Sequence, residues 1–350
     1  MAETANAYRL SKLALICVML VACTSEKPAV EQWQHSQNGS YAAAFSPDKS
    51  YVLVGDTDAP AKLWDIEAGQ IKYSWQNRQG EAGTTTAVAF SPDGLVAATC
   101  ESNIIVLWNM ADGKPISRLT LPVTVKDMAV SAGGDYLLLA LQDRTAVYFD
   151  IQANRVRRIF EHDGAPVNSP INQLINTVAL SPDGSMALTG GDDQTARLWD
   201  LETGEQKQQW KHSNAVNLVS FSPQGDYVIT SAGNDQTRLW GLPSAEPIAV
   251  LSTSPIAIDG PWADFPVFKT TTTAIGYSTD NRYIVTGHPN QQICTWQAQD
   301  GSNINCWQAP RREALKPGVV LQAVTFSADG RSILTEAGNG LAQKWSFEHD

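Results

Sequence analysis

The chain has 350 residues, room for one large domain or two ordinary ones, and its 25 basic and 36 acidic residues leave a net charge of −11. With 43% hydrophobic and 17% charged residues it can build a core, which sets it apart from disordered chains. The acidic balance argues against nucleic acid as a partner, since no basic patch is present to neutralise phosphates. The short run Arg155, Arg157, Arg158 reads as a solvated outer strand.

Residues 1–22 read as a targeting segment. A weakly basic start (Arg9, Lys12) leads into ten apolar residues, 13–22, which reach about 15 Å as a helix, roughly half a bilayer core. The run ends in Leu20-Val21-Ala22-Cys23, which resembles a bacterial lipobox. That resemblance implies a lipoprotein signal peptide over 1–22, cleavage before Cys23, and a diacylglycerol on its thiol. Thr24, where Asp would imply inner-membrane retention, implies an outer-membrane anchor. Residues 23–28 are then a short tether of about 20 Å at most, holding the folded part by its rim close to the membrane. Cys17 leaves with the signal, and the folded part keeps Cys100, Cys294 and Cys306, which cannot all pair with one another.

From residue 46 onward one unit recurs seven times. The turn SPDK (46–49) returns as SPDG (91–94), SAGG (131–134), SPDG (181–184), SPQG (222–225), STDN (278–281) and SADG (327–330). Its serine stands 17 or 18 residues before an aromatic: Trp64, Trp108, Phe149, Trp199, Trp240, Trp296 and Trp345. Short alternating apolar runs flank each turn, and Pro, Asp and Gly between such runs predict hairpins. Eleven residues past the aromatic stands another large apolar residue (Trp75, Leu119, Phe160, Trp210, Leu251, Trp307), which predicts a fourth strand. Four antiparallel strands repeated every 41 to 56 residues fit a β-propeller blade.

Paired in this way, RLWD and SPDG resemble the tryptophan–aspartate (WD) repeat family over about residues 30–350. The dipeptide is intact at Trp64-Asp65 and Trp199-Asp200 and becomes WN, FD, WG, WQ or WS elsewhere. The expected fold is all-β, a seven-bladed propeller of four-stranded antiparallel blades in one domain over 29–350. The last unit stops after its third strand, and Trp33 stands thirteen residues ahead of Ser46, so residues 29–35 are expected to close the ring as the missing outer strand.

Adjacent carboxylates at Asp192 and Asp193 invite a catalytic or metal reading, but Asp193 has repeat equivalents. Six residues before each aromatic stand Asp58, Ser102, Asp143, Asp193, Asn234, Asn290 and Asn339, residue types that suit turns. The family resemblance further implies a buried relay of histidine, Ser/Thr, turn acid and tryptophan. Blade four offers His162, Thr189, Asp193 and Trp199; blade five offers His212, Thr230, Asn234 and Trp240. His35 stands in the same place two residues past Trp33. No nucleophile motif, phosphate loop or Cys/His pair at ligand spacing accompanies them, so no catalytic residue, cofactor or metal is expected.

What varies is the connection from one unit to the next, where the excess length falls before blades four, six and seven. The inserts are 162–173, 252–271 (carrying Trp262, Phe265 and Phe268) and 309–320 (carrying Arg311, Arg312 and Lys316). These connections emerge on one face, and aromatic and arginine side chains suit an interface, so Trp262, Phe265, Phe268, Arg311 and Arg312 are candidate contact residues; the alternative is a plug folded over the disk. Cys294 and Cys306 are equidistant from the Asp300 hairpin and are expected to form a disulfide in an oxidising compartment. The function these features point to is a membrane-anchored bacterial lipoprotein, a non-catalytic protein-interaction scaffold of the cell envelope whose partners are other envelope proteins. The alternative is a periplasmic propeller that binds or processes a small ligand or glycan at its central opening.

Overall fold

A computed structural model describes residues 27–78, 80, 83–162, 174–252, 271–289, 291–309 and 319–348. Its strands form seven four-stranded antiparallel sheets, each a blade of one propeller. Blade four shows the plan: strands Ile175–Leu180, Met186–Gly191, Thr195–Asp200 and Gln206–Lys211, paired in chain order. First strands line the axis, where they meet those of neighbouring blades, and fourth strands form the rim.

Burial follows this layering. The second strand of blade two, Val96–Glu101, is buried throughout because neighbouring blades cover both its faces. On the rim, Gln206–Lys211 buries only Trp210, the residue eleven past the aromatic, against Trp240 of blade five. Six apolar clusters thus run between blades, so each unit's core is completed by its neighbour.

The serine turn owes its repetition to a local bond set. In blade four the Ser181 hydroxyl donates to Asp183 Oδ1 at 2.6 Å and accepts the Met186 N–H at 2.9 Å, while Gly184 takes a φ of 71°. The same serine–aspartate bond, 2.5 to 2.6 Å, recurs at Ser46–Asp48, Ser91–Asp93, Ser278–Asp280 and Ser327–Asp329. The glycine supplies the left-handed turn residue that a side chain resists.

The ring closes through its first strand. Glu31–Gln34 pairs antiparallel with the third strand of blade seven, Leu341–Ser346, bringing Trp33 opposite Ala342. The expected closing strand over 29–35 is therefore present in a slightly shorter form, extended by bonds from Val30 N to Lys344 O and from His35 N to Gly340 O. Cys294 and Cys306 lie directly opposite each other on adjacent strands of blade six and are disulfide-bonded, with Cα atoms 4.2 Å apart. Cys100 is a free, buried thiol that burial pushes up to about 12.

The fold has two unlike faces. One, the turn face, carries the serine turns and the hairpins between third and fourth strands. The other, the insert face, carries the turns between second and third strands, the ends of the fourth strands and the starts of the first strands, where the connections between blades leave and return.

Candidate functional site

Blade four builds the relay on its insert-face side. His162, one residue past the outer strand of blade three, places Nε2 2.7 Å from Thr189 Oγ1 and Nδ1 2.9 Å from Asp193 Oδ1. Trp199 Nε1 donates to Thr189 Oγ1 at 2.8 Å. One tautomer satisfies the whole chain: the indole N–H donates to the threonine oxygen, the threonine hydroxyl to Nε2, and Nδ1–H to the carboxylate. Asp193 also accepts from Thr195 and from Arg197 Nη2 at 2.9 Å. Burial by itself would raise this carboxyl, but the hydrogen bonds from His162 and Thr195 prevail and hold it at about 2. His162, Thr189 and Trp199 are buried and paired within the relay, and Asp193, paired with them, is its one partly exposed member.

Blade five corrects the expected assignment. His212 Nε2 lies 2.9 Å from Thr230 Oγ1, and Trp240 donates to the same oxygen at 2.9 Å, but the carboxylate on Nδ1 belongs to Asp235 at 3.1 Å, not to Asn234. Asn234 is itself the left-handed residue of the turn, with φ 51°, whereas in blade four that role falls one position later, on Gln194 with φ 67°. The shifted turn aims residue 235 at the histidine. His212 is held below its ordinary range by burial first and by the Arg238 charge second.

Other blades vary the theme. In blade two Asn77 stands in the histidine's place and accepts the Thr99 hydroxyl at 2.6 Å, while Trp108 donates to Thr99 at 2.8 Å. Blade six supplies its histidine from within: His288 Nε2 is 3.1 Å from Thr286 Oγ1, which accepts from Trp296 at 3.0 Å. His288 donates from Nδ1 to the Thr271 carbonyl at 3.1 Å, and burial lowers it to about 4. Blade seven keeps only Trp345 and Thr335. His35 instead closes the seam between blades seven and one, with Nδ1 2.8 Å from Glu336 Oε2 and its ring 4.5 Å from that of Trp64. Asn77, Asp235, His288 and Glu336 are relay or seam residues absent from the sequence reading; an Asn two residues past Trp75 is the one signal in the repeat alignment.

The insert face is the remaining candidate surface. Five of the first strands carry a bulge at this end, which leaves Tyr41, Lys126, Asn176, Asn217 and Gln322 out of register around the central opening. Three of these side chains make bonds there: Lys126 donates to Asn176, which donates to Asp192 at 2.6 Å, and Gln322 accepts from Ser40 at 2.8 Å. Asp127 accepts the Val178 N–H at 2.9 Å, and burial raises its carboxyl. Part of the rim is thus made of polar groups bonded to one another, while Tyr41 and Asn217 stand exposed beside them. Among the described residues no cluster of His, Cys, Asp or Glu is arranged to hold a metal ion. Off the axis, on the turn face, a cleft of about 520 Å³ lies between blades four and five, with Met186, Leu198, Phe221 and Leu242 among its lining and Asp183 and Asp226 beside them.

Cys23, Trp262, Phe265, Phe268, Arg311 and Arg312 lie outside the described residues. The residues bordering the three inserts are described: 162 and 174, 252 and 271, 309 and 319 all border the insert face.

Comparison with known proteins bears on the repeat. The WD40 family (WD domain, G-beta repeat) matches residues 75–109, 157–200 and 204–241. Relatives include transducin beta-like protein 3 of Mus musculus, 26% identical over 169 residues, covering 46% of this chain and 21% of that protein. Nuclear distribution protein PAC1 of Arthroderma otae is 27% identical over 190 residues, 50% of this chain and 38% of the relative. The WD repeat-containing protein WDS homolog of Arabidopsis thaliana is 28% identical over 182 residues, 51% of this chain and 32% of the relative. The matches span about a fifth to two-fifths of these relatives' own length. WD-repeat propellers are in general protein-interaction scaffolds.

Proposed function

For a chain that carries WD40 repeats in a seven-bladed propeller, we propose the role of a non-catalytic docking scaffold, anchored through lipid on Cys23 and serving the bacterial envelope from the outer membrane. One observation carries the docking part: the three long connections all leave and re-enter on the insert face, while the relay histidines and carboxylates are used up in blade packing. Loops on a rigid scaffold concentrate binding, and aromatic and arginine side chains dominate the energy of protein interfaces. Trp262, Phe265, Phe268, Arg311 and Arg312 are the contact residues of this reading, and other envelope proteins are its partners. The lipobox-like Leu20-Val21-Ala22-Cys23 supports the anchor.

Affinity capture of the intact lipoprotein from membranes tests it, repeated with residues 252–271 deleted and with Trp262, Phe265 and Phe268 changed to Ser. The expected result is loss of the same partners from both variants, with the urea midpoint of the triple Ser variant unchanged. Unchanged capture from both removes 252–271 as the docking segment.

A further inference from the structure

The N-terminal chain enters the propeller from the face opposite the inserts. In the closing strand Glu31 lies beside Lys344 and Gln34 beside Leu341. Leu341 begins its strand at the insert face and Ser346 ends it at the turn face, so the closing strand starts low and climbs toward the inserts. Residues 27–30 continue on the low side. Val30 N donates to Lys344 O at 2.7 Å, and Lys27 Nζ donates to Ser346 O at 2.6 Å. Lys27 also stands 5.2 Å from the ring centroid of Trp307, in the groove between blades six and seven.

We propose that the turn face of the propeller lies toward a lipid bilayer and that the insert face points away from it; the proposal rests on lipidation of Cys23. Chain length keeps the insert face away from the lipid. Four residue steps separate Cys23 from Lys27, a span of about 14 Å when fully extended. A six-residue strand carries the fold about 20 Å from turn face to insert face. Starting from the turn-face end of blade seven, the lipid therefore reaches the turn face or the nearby rim, but not the plane of the inserts.

Charge does not draw that face to the membrane. Asp48, Asp93, Asp183, Asp280 and Asp329 all stand in its turns. The serine bond comes first among the causes that hold Asp183 and Asp329 below the usual carboxylate range, so both stay ionised. An anionic headgroup layer repels such a face. The tether sets the orientation, and a zwitterionic surface is the one that fits. The consequence for docking is direct: partners approach the insert face from the aqueous side, unobstructed by the bilayer.

Energy transfer to the membrane tests this. Leu95, 63% exposed, follows the serine turn of blade two on the turn face, and Tyr41, 64% exposed, lies at the insert-face end of blade one's first strand. Leu95→Cys and Tyr41→Cys variants of the lipoprotein are labelled with a donor dye and reconstituted in phosphatidylcholine vesicles bearing an acceptor dye on their headgroups. Cys100 is buried with its thiol pushed up to about 12, and Cys294 and Cys306 are bonded, so the dye goes to the new cysteine. Transfer from position 95 is expected to exceed that from position 41 by about twofold or more; equal or reversed efficiencies overturn the proposal. The intact mass of the unlabelled protein separates the two readings. Lipid present with reversed transfer removes the orientation alone, whereas a mass without lipid removes the anchor and the orientation with it.

Discussion

Blade four and blade one hold the same tryptophan in the same register, yet only one of them satisfies it. In blade four Trp199 Nε1 donates to Thr189, ten residues earlier, and the bond continues through His162 to Asp193. In blade one the residue ten before Trp64 is Val54, and Trp64 Nε1 finds no partner. The histidine that would serve blade one, His35, turns instead to Glu336 across the ring closure and stacks on Trp64. A propeller can therefore lose the relay in one blade and keep the packing, because apolar contact between blades holds the tryptophan while the hydrogen bonds add uniqueness. Phe149 of blade three, with no N–H to satisfy, makes the same point.

Removing the shared element has the largest expected effect. Trp199→Ala empties a buried aromatic site between blades three and four and leaves Thr189 and His162 to reorganise, at a cost of about 3–5 kcal/mol. Urea denaturation followed by far-ultraviolet circular dichroism measures it; a loss under about 1 kcal/mol would mean that the blade packs without its tryptophan.

Next comes the bond without the packing. Thr189→Val makes blade four resemble blade one, keeping the shape but leaving the indole N–H and the His162 Nε2 unpaired in a fully buried place. Each orphaned group costs about 1–3 kcal/mol, and relaxation should keep the sum near 2–4 kcal/mol. If the variant is as stable as the parent, the relay contributes shape and nothing more.

Proton linkage separates blade six from blade four. His288 is lowered from 6.5 to about 4 by burial, so between those values the unfolded chain binds a proton that the fold refuses. Stability from this group is complete above pH 6.5 and is lost as pH falls toward 4. Asp193, lowered from 3.8 to about 2, contributes stability that is present above pH 3.8 and lost as pH falls toward 2. The expected outcome is that His288→Asn flattens the stability profile from pH 6.5 to 4 and Asp193→Asn flattens it only below pH 4. Identical profiles for the two variants would show that neither window belongs to its assigned group.

The repeat made the ring legible because a turn serine, an aromatic and a fourth-strand residue at fixed spacing are all structural necessities of one blade. The closing strand was legible for the same reason, through Trp33 at the fourth-strand position. The relay was legible only where its residues keep to their columns. Asn234 stands in the acid's column, yet Asp235 binds His212, because the choice between them depends on which turn residue takes the left-handed conformation. Both residues suit that turn, so composition does not decide. His288 and Glu336 were missed for a related reason: they stand two residues and one residue past the relay threonine of their blade, positions to which the repeat alignment assigns no polar role, and only three-dimensional neighbours give them one.

The smallest expected effect runs in the opposite direction. Val54→Thr offers blade one the hydroxyl that its tryptophan lacks. Val54 is fully buried and pairs in register with Lys62, as Thr189 pairs with Arg197, so the new oxygen sits where Trp64 Nε1 can donate to it. Its proton has an acceptor as well, the Lys62 carbonyl, in the place where the Thr189 hydroxyl meets the Arg197 carbonyl at 3.5 Å. Against this stands the cost of placing a hydroxyl where a methyl group packed, so the net gain should not exceed about 1 kcal/mol. A slightly raised urea midpoint, beside a lowered one for Thr189→Val, would establish the threonine bond as a transferable part of the blade. A clear loss would mean that the Lys62 carbonyl is no substitute for the histidine acceptor, which His35, drawn aside to Glu336, does not supply to blade one.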